Sequence, residues 1–328
     1  MADHGHAHDD EGQHCEVCGH GHEHEDDCDH SLPEGIYVIS PSSAVPSQER
    51  LKRGAQKLRR LGFKVKVDKD AMARSERFAG TDEQRLAAID RSLRQPYPIV
   101  MSSRGGYGMT RLLPRIDWKA VADSGKSFVG HSDFTAFNLA LLAQTGASSF
   151  TGPSVVPDFG AETPEELTME LFLDAISHSL EILSFESEGS DEFDGRGVLW
   201  GGNLAMLTSL LGTPYFPKVR SGILFVEDVH EQPYRIERML LQLAQSGVLA
   251  RQKALLLGNF TDYKLSESDH ACGYDLSSVI EYIRKTVKIP VILGLPYGHT
   301  PVKATLPIGV KVGLATEDGM GYLVLHEH

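Results

Sequence analysis

Residues 127–144 read SFVGHSDFTAFNLALLAQ, and this stretch decides how the chain folds. Residues 127–130 form an apolar run of strand length that stops on a glycine. Residues 133–144 open on an acid and then carry apolar side chains at helical spacing. Ser132 lies in the short turn between them. A strand–turn–helix unit with a serine in its turn is the setting of a nucleophile elbow, which projects the hydroxyl from a tight bend. The start of the helix adds backbone N–H groups suited to a developing oxyanion. The second glycine of the G-x-S-x-G form is absent, and a serine here also suits a helix N-cap. On this segment alone both roles are open.

Outward from it the same alternation recurs. Residues 35–41 (GIYVISP) predict a strand closing on a Pro-Ser turn. Residues 47–62 predict a helix, with Leu51, Ala55, Leu58 and Leu61 near a 3.6 period and a terminal glycine. A strand follows at 63–67, Thr81-Asp-Glu-Gln84 is a capping box opening a helix to about Leu93, and 98–103 is again a strand. Strands alternating with helices imply a parallel sheet. Acids, serine and glycine become frequent over 161–197, with ESEGSDEFD at 186–194, which reads as a connector. Beyond it come a strand at 222–228, an amphipathic helix at 233–247 with proline in its first turn, and a strand at 254–258. A helix at 277–285 and a strand at 291–295 follow, and the Gly- and Val-rich last thirty residues predict short antiparallel strands. The expected protein is α/β. A Rossmann/flavodoxin-like parallel-sheet domain spans 33–160, a connecting region 161–196, and a β-rich α/β domain 197–328. No repeat of 20–50 residues is visible.

Length agrees: 328 residues make about two domains at roughly 100–200 residues each. With 41% apolar and 23% charged residues the composition is that of a soluble globular protein. No run approaches the ~18 consecutive apolar residues of a membrane helix, so no membrane partner is expected. The net charge of −13 is opposite to the basic footprint of a nucleic-acid binder. Residues 1–30 hold ten Asp/Glu and no Lys or Arg, so most of that charge belongs to the N-terminal tail and the body is nearly neutral.

The same tail interleaves His4, His6, His8, His14, His20, His22, His24 and His30 with Cys15, Cys18 and Cys28. Imidazole, thiolate and carboxylate are ligands for Zn, Ni, Co and Cu, and Cys15-x-x-Cys18 is half of a zinc site. A second pair at finger or ribbon spacing is missing, and large apolar side chains are almost absent. Residues 1–32 are therefore expected to be a disordered tail that binds Zn or Ni loosely, or else a solvated acidic segment with no part in the chemistry. Cys272 is the one cysteine of the body, which excludes a disulfide within it. With neither the basic start nor the apolar core of a signal peptide in residues 1–30, a reducing cytoplasm is expected.

Two further places carry chemistry. Ser102-Ser-Arg104-Gly105-Gly106-Tyr107-Gly108 follows a strand, and its glycines permit close approach of a ligand to the main chain. Neither the phosphate-loop ending nor dinucleotide spacing is present, so a ligand cradle and a plain tight turn both remain. A nucleophilic serine needs a base, and the base needs an acid to fix its tautomer. His131, His230 and His299 lie near strand ends. Glu227 lies in LFVED at 224–228, at the end of the strand, and Asp228 and Glu231 compete with it.

Taken together, SSRGGYG, GHSDFTA, TGPSVV, LWGGNLAML, LFVEDVHEQPYRIERMLLQL and LPYGHT, in this order, resemble the LD-carboxypeptidase family of serine peptidases. Within it they most resemble the cytoplasmic murein tetrapeptide carboxypeptidases. The resemblance runs from about Gly35 to about Gly321. It implies a triad of Ser132, Glu227 and His299, with backbone N–H groups of Gly106 and Asp133 as the oxyanion hole. It also implies an active site between two domains, no cofactor and no metal in that site, and a homodimer. The implied substrate is a murein tetrapeptide, free or sugar-linked, which loses its terminal D-alanine in peptidoglycan recycling. Thr151-Gly-Pro153 departs from the His-Gly-Pro common in the family. A related branch hydrolyses microcin-type peptidyl-nucleotides and typically has a longer insertion before GGNL, which makes it the alternative. A third reading takes the tail as a metal buffer and the body as a relic.

Overall fold

The computed structural model describes residues 34–325, so the expectations placed on the tail and its metal ligands lie outside the described residues. Its strands are β1 (Gly35–Ile39), β2 (Lys64–Val67), β3 (Ile99–Ser102), β4 (Ser127–Val129), β5 (Ser149–Thr151), β6 (Ile182–Glu186) and β7 (Asp194–Asn203). They continue with β8 (Ile223–Val229), β9 (Ala254–Thr261), β10 (Val291–Ile292), β11 (Leu306–Ile308), β12 (Val310–Glu317) and β13 (Met320–Val324). The helices are α1 (Gln48–Arg60), α2 (Asp82–Leu93), α3 (Trp118–Asp123), α4 (Thr135–Thr145), α5 (Glu166–Ile176), α6 (Leu204–Ser209), α7 (Pro233–Gln245), α8 (Glu267–Cys272) and α9 (Leu276–Thr286).

The first sheet has the order β11-β5-β4-β3-β1-β2. Pairs among β1 to β5 are parallel, in the doubly wound order 2-1-3-4-5, and β11 adds an antiparallel edge from far along the chain. Every residue of β1 and β3 is buried, which is why these strands read as continuous apolar runs rather than alternating ones. The helix signals also correspond to observed caps. Ser47 Oγ accepts the Arg50 N–H at 3.2 Å, and Thr81 and Gln84 form the reciprocal capping box at 2.9 and 3.3 Å.

The second sheet has the order β10-β9-β8-β7-β12-β13-β6. Its β10 to β7 side is parallel, and the β12, β13 and β6 side is antiparallel, as the Gly- and Val-rich C-terminal residues suggest. Residues 161–196 are more than a connector, because they supply α5, β6 and the start of β7. Along β6, Leu183 and Phe185 face inward while Ile182, Ser184 and Glu186 face solvent, so the acid-rich composition here includes the outer face of an edge strand. Strand β7 gives no strand signal in the sequence, since four of its ten residues are glycine. The run at 291–295 is shorter than its apolar pattern suggests and pairs only over Val291–Ile292.

Helix α4 ties the two sheets together. Residues 135–141 are all buried, and the helix touches β5 and β11 of the first sheet as well as β7 of the second. Strand β11 is the second tie: Leu306 is fully buried there and pairs with Thr151. Leu306→Ala is expected to destabilise the protein by about 2–5 kcal/mol in urea denaturation, the cost of a cavity at a site closed on all sides.

Candidate active site

Ser132 is held in the left-handed region at φ +62°, a conformation that costs energy for any side chain with a Cβ. It starts a short 3-10 turn over Ser132–Phe134, and only then does α4 begin, so the elbow is one tight turn longer than its helical pattern indicates. The glycine turn lies directly against it. A methyl group at Gly105 would sit 2.7 Å from Ser132 Cβ and 3.0 Å from its Oγ. Gly106 has φ +109°, and a methyl group there would meet Ser43 Oγ at 2.3 Å. Ser43 clamps the turn, accepting the Tyr107 N–H at 3.0 Å and donating to the Tyr107 carbonyl at 3.3 Å. The turn is therefore a built feature, and Gly106 is exposed in it.

Glu227 lies near the end of β8 with no solvent exposure. Its Oε2 accepts from His299 Nδ1 at 2.8 Å, and its Oε1 accepts from Asn203 Nδ2 at 3.1 Å. The hydrogen-bond network assigns the His299 proton to Nδ1, leaving Nε2 with a lone pair. Gly298, at φ +147°, lets the His299 loop cross the carboxylate, since a methyl group there would lie 3.4 Å from Glu227 Oε2. The competing acids turn elsewhere. Asp228 accepts from Ala205 N at 2.8 Å, Val229 N at 2.8 Å and Asn203 Nδ2 at 3.0 Å, and Glu231 pairs with Arg235.

Of the three histidines near strand ends, the fold brings His131 and His299 together, with ring centroids 4.4 Å apart. His230 is exposed and bonds the Asp262 carbonyl at 2.9 Å. His131 is buried, and burial, helped by His299 and Lys303, holds its imidazole well below the usual range. Thr151, the departure from His-Gly-Pro, donates to the Gly130 carbonyl at 3.1 Å and accepts from Tyr297 OH at 2.5 Å. Burial above all, with the Glu227 charge behind it, pushes the Tyr297 hydroxyl far up and keeps it a donor.

Ser132 and His299 line one cavity of about 220 Å³ with Arg104, Gly105, Gly106 and His131. Among the described residues no hydrogen bond joins Ser132 Oγ to His299, and bonds of this kind commonly close only around substrate. A further cavity of about 410 Å³ adjoins the first at His299 and Lys303. Lys303 is buried and pairs with Asp158 at 2.7 Å. Arg104 donates to the Ala44 carbonyl at 3.1 Å and has no carboxylate partner among the described residues. Burial, then Arg50 and Arg77, holds its guanidinium below the usual value. Sequence reasoning passed over Arg104, Asn203 and the Lys303–Asp158 pair. Arg104 and Asn203 lie inside the quoted blocks, but neither position there indicates what the side chain faces.

Residues 36–152 match the family model described as the LD-carboxypeptidase N-terminal domain, and residues 196–314 match that of the C-terminal domain. The chain belongs to the LD-carboxypeptidase family and is a carboxypeptidase. A Bacillus subtilis (strain 168) protein named "Probable murein peptide carboxypeptidase" is 32% identical over 285 residues, 86% of this chain and 88% of its own. The crystal structure of muramoyltetrapeptide carboxypeptidase from Oxalobacter formigenes is similar at a TM-score of 0.84 and 44% identity, covering 90% of this chain and 99% of that one. The microcin C7 self-immunity protein of Escherichia coli is 28% identical over 313 residues, 85% of this chain and 89% of its own.

Burial pushes the Asp228 carboxyl up to about 6, against the Val229 and Ala205 N–H groups that hold it down. The unfolded chain releases that proton near 3.8, so the contribution of Asp228 to stability is whole below that pH and lost as the pH rises through 6. Relative to wild type, Asp228→Asn should therefore gain about 1–3 kcal/mol between pH 4 and pH 7 in urea denaturation. A difference that does not move with pH would refute this.

Proposed function

We propose that the protein is a serine-type LD-carboxypeptidase that removes the terminal D-alanine of murein tetrapeptides in peptidoglycan recycling. The observation that carries the reading is the buried Glu227 carboxylate on His299 Nδ1, beside a cavity shared with Ser132. His299 Nε2 takes the Ser132 proton, and Oγ attacks the carbonyl of the L,D bond. Glu227 holds the imidazole in its tautomer and stabilises its charged form. The N–H groups of Gly106 and Asp133 receive the oxyanion, each worth about 3–4 kcal/mol in the transition state. The proton then passes to the leaving D-alanine nitrogen, and water, activated by the same base, hydrolyses the acyl-enzyme.

An exopeptidase must also recognise a free terminal carboxylate one residue from the bond it cuts. Arg104 suits that task, because it is a partly buried guanidinium on the turn that holds Gly106, with no acid of its own. The similarity to the microcin self-immunity protein supplies the second reading, hydrolysis of peptidyl-nucleotides. The 44% identity to the muramoyltetrapeptide enzyme and the short segment before GGNL favour the first.

Mass spectrometry of murein tetrapeptide after incubation should show loss of one D-alanine with wild type and none with Ser132→Ala. Equal loss with both would end the serine mechanism, and turnover of a peptidyl-nucleotide alone would establish the second reading. Arg104→Gln should raise KM for the tetrapeptide about tenfold or more and erase the preference for the acid over its C-terminal amide. A variant that still discriminates acid from amide as wild type does would remove Arg104 from this role.

A further inference from the structure

His131 has no assigned part in the reaction above, and its position is unusual. Its side chain is about nine-tenths buried, yet among the described residues Nε2 has no hydrogen-bond partner, and it lies 3.8 Å from Glu227 Oε1. A buried ring nitrogen without a partner loses the bond it would make in water, so the site favours anything that supplies one. One donor atom each from His131, Glu227 and His299 lies within 4.8 Å of the others. Two imidazoles and a carboxylate, with a fourth position open, form the donor set of a three-ligand zinc site.

We propose that His131, Glu227 and His299 bind a borderline divalent cation, Zn²⁺ above all, and that the bound ion switches the peptidase off reversibly. The switching clause rests on the catalytic reading above; the binding clause does not. Bonds of about 2.0–2.2 Å to each donor require the donor atoms, now within 4.8 Å of one another, to draw closer together. Asn203 Nδ2 on Glu227 Oε1 orients the carboxylate from behind, as an outer partner of a metal ligand does. Tyr297 packs edge-on against the His131 ring at 5.4 Å and fixes its plane. The cavity beside His131 and His299 gives the ion a way in; of the cations that line it, Lys303 is paired with Asp158, while Arg50 and Arg104 also border it.

Either mode of ligation stops the chemistry. An ion on His299 Nδ1 displaces the proton shared with Glu227, and that proton moves to Nε2, which can then no longer accept one from Ser132. An ion on Nε2 occupies the lone pair itself. Zinc taken up by the histidines and cysteines of the tail would count towards total zinc, so the experiment fixes free zinc instead.

Full-length protein is assayed on murein tetrapeptide with free Zn²⁺ set by a nitrilotriacetate buffer. Wild-type turnover should fall as free zinc rises and return on addition of EDTA, and His131→Phe should need at least about tenfold more free zinc for the same inhibition. Inhibition of His131→Phe at the wild-type concentration, or none of wild type across the buffered range, would overturn the proposal. Wild-type crystals soaked in zinc give a readout independent of turnover and of how the variant folds. An anomalous peak bonded to His131 Nε2 and Glu227 is expected, and its absence would overturn the site. A zinc-free wild type that leaves the tetrapeptide uncut would count against the proposed function, while diffraction still decides the metal site.

Discussion

Burying a carboxylate costs several kcal/mol unless protein donors replace the water it loses. At Glu227 the replacements are His299 Nδ1 and Asn203 Nδ2, and much of the surrounding structure exists to bring those two donors to it. Asn203 ends β7 and is anchored twice, its backbone N–H on Thr135 Oγ1 at 3.1 Å and its side-chain oxygen on Met206 N. His299 arrives on a loop held by the Asn259 N–H on the Tyr297 carbonyl at 2.8 Å. Removing one donor would leave a buried charge short of a partner, so Glu227, His299, Asn203 and their supports stand or fall as a unit.

Ser132 is set by a different device. Ser132 sits at an unfavourable φ because the turn before α4 is pinned on both sides, by Gly105 against its Cβ and by Asp133, whose carboxylate accepts the Met109 N–H at 2.9 Å. Burial pushes the Asp133 carboxyl up, so this acid works as a fastening for the glycine-rich loop rather than as a surface charge. Thr135, one turn into the same segment, reaches across to Asn203. The elbow on the first sheet and the acid on the second are thereby linked through two side chains, Thr135 and Asn203.

Much of this was legible in the residues. The strand–helix alternation of the first half, the capping box at Thr81, the proline-led helix at 233 and the antiparallel C-terminal strands are local patterns, and each was realised. The glycine-dense β7 and the edge strand β6 were not legible, because their strand character comes from partners 24 to 142 positions away in the chain rather than from their own composition. Among the acids, Glu227, Asp228 and Glu231 are equivalent by local pattern, and only the family resemblance singles out Glu227. In the structure Glu227 meets His299, Asp228 reaches the start of α6 and Glu231 pairs with Arg235, beside an irregularity in the β8–β9 register between Val226 and Asp228.

By itself the sequence determined the elements whose causes lie within a few residues: caps, periodicity, glycine turns and the elbow around Ser132. Through the order of its blocks it also pointed to the family. Tertiary structure alone decided the contacts that span the chain. It placed His299 on Glu227 across 72 positions, fitted β11 to the edge of β5, and set His131, its Nε2 without a partner among the described residues, against His299 with the two rings tilted. The physical reason is one of range. Propensity and capping act over a turn or two of chain, whereas the burial of a charge is resolved only when strands far apart in sequence close around it.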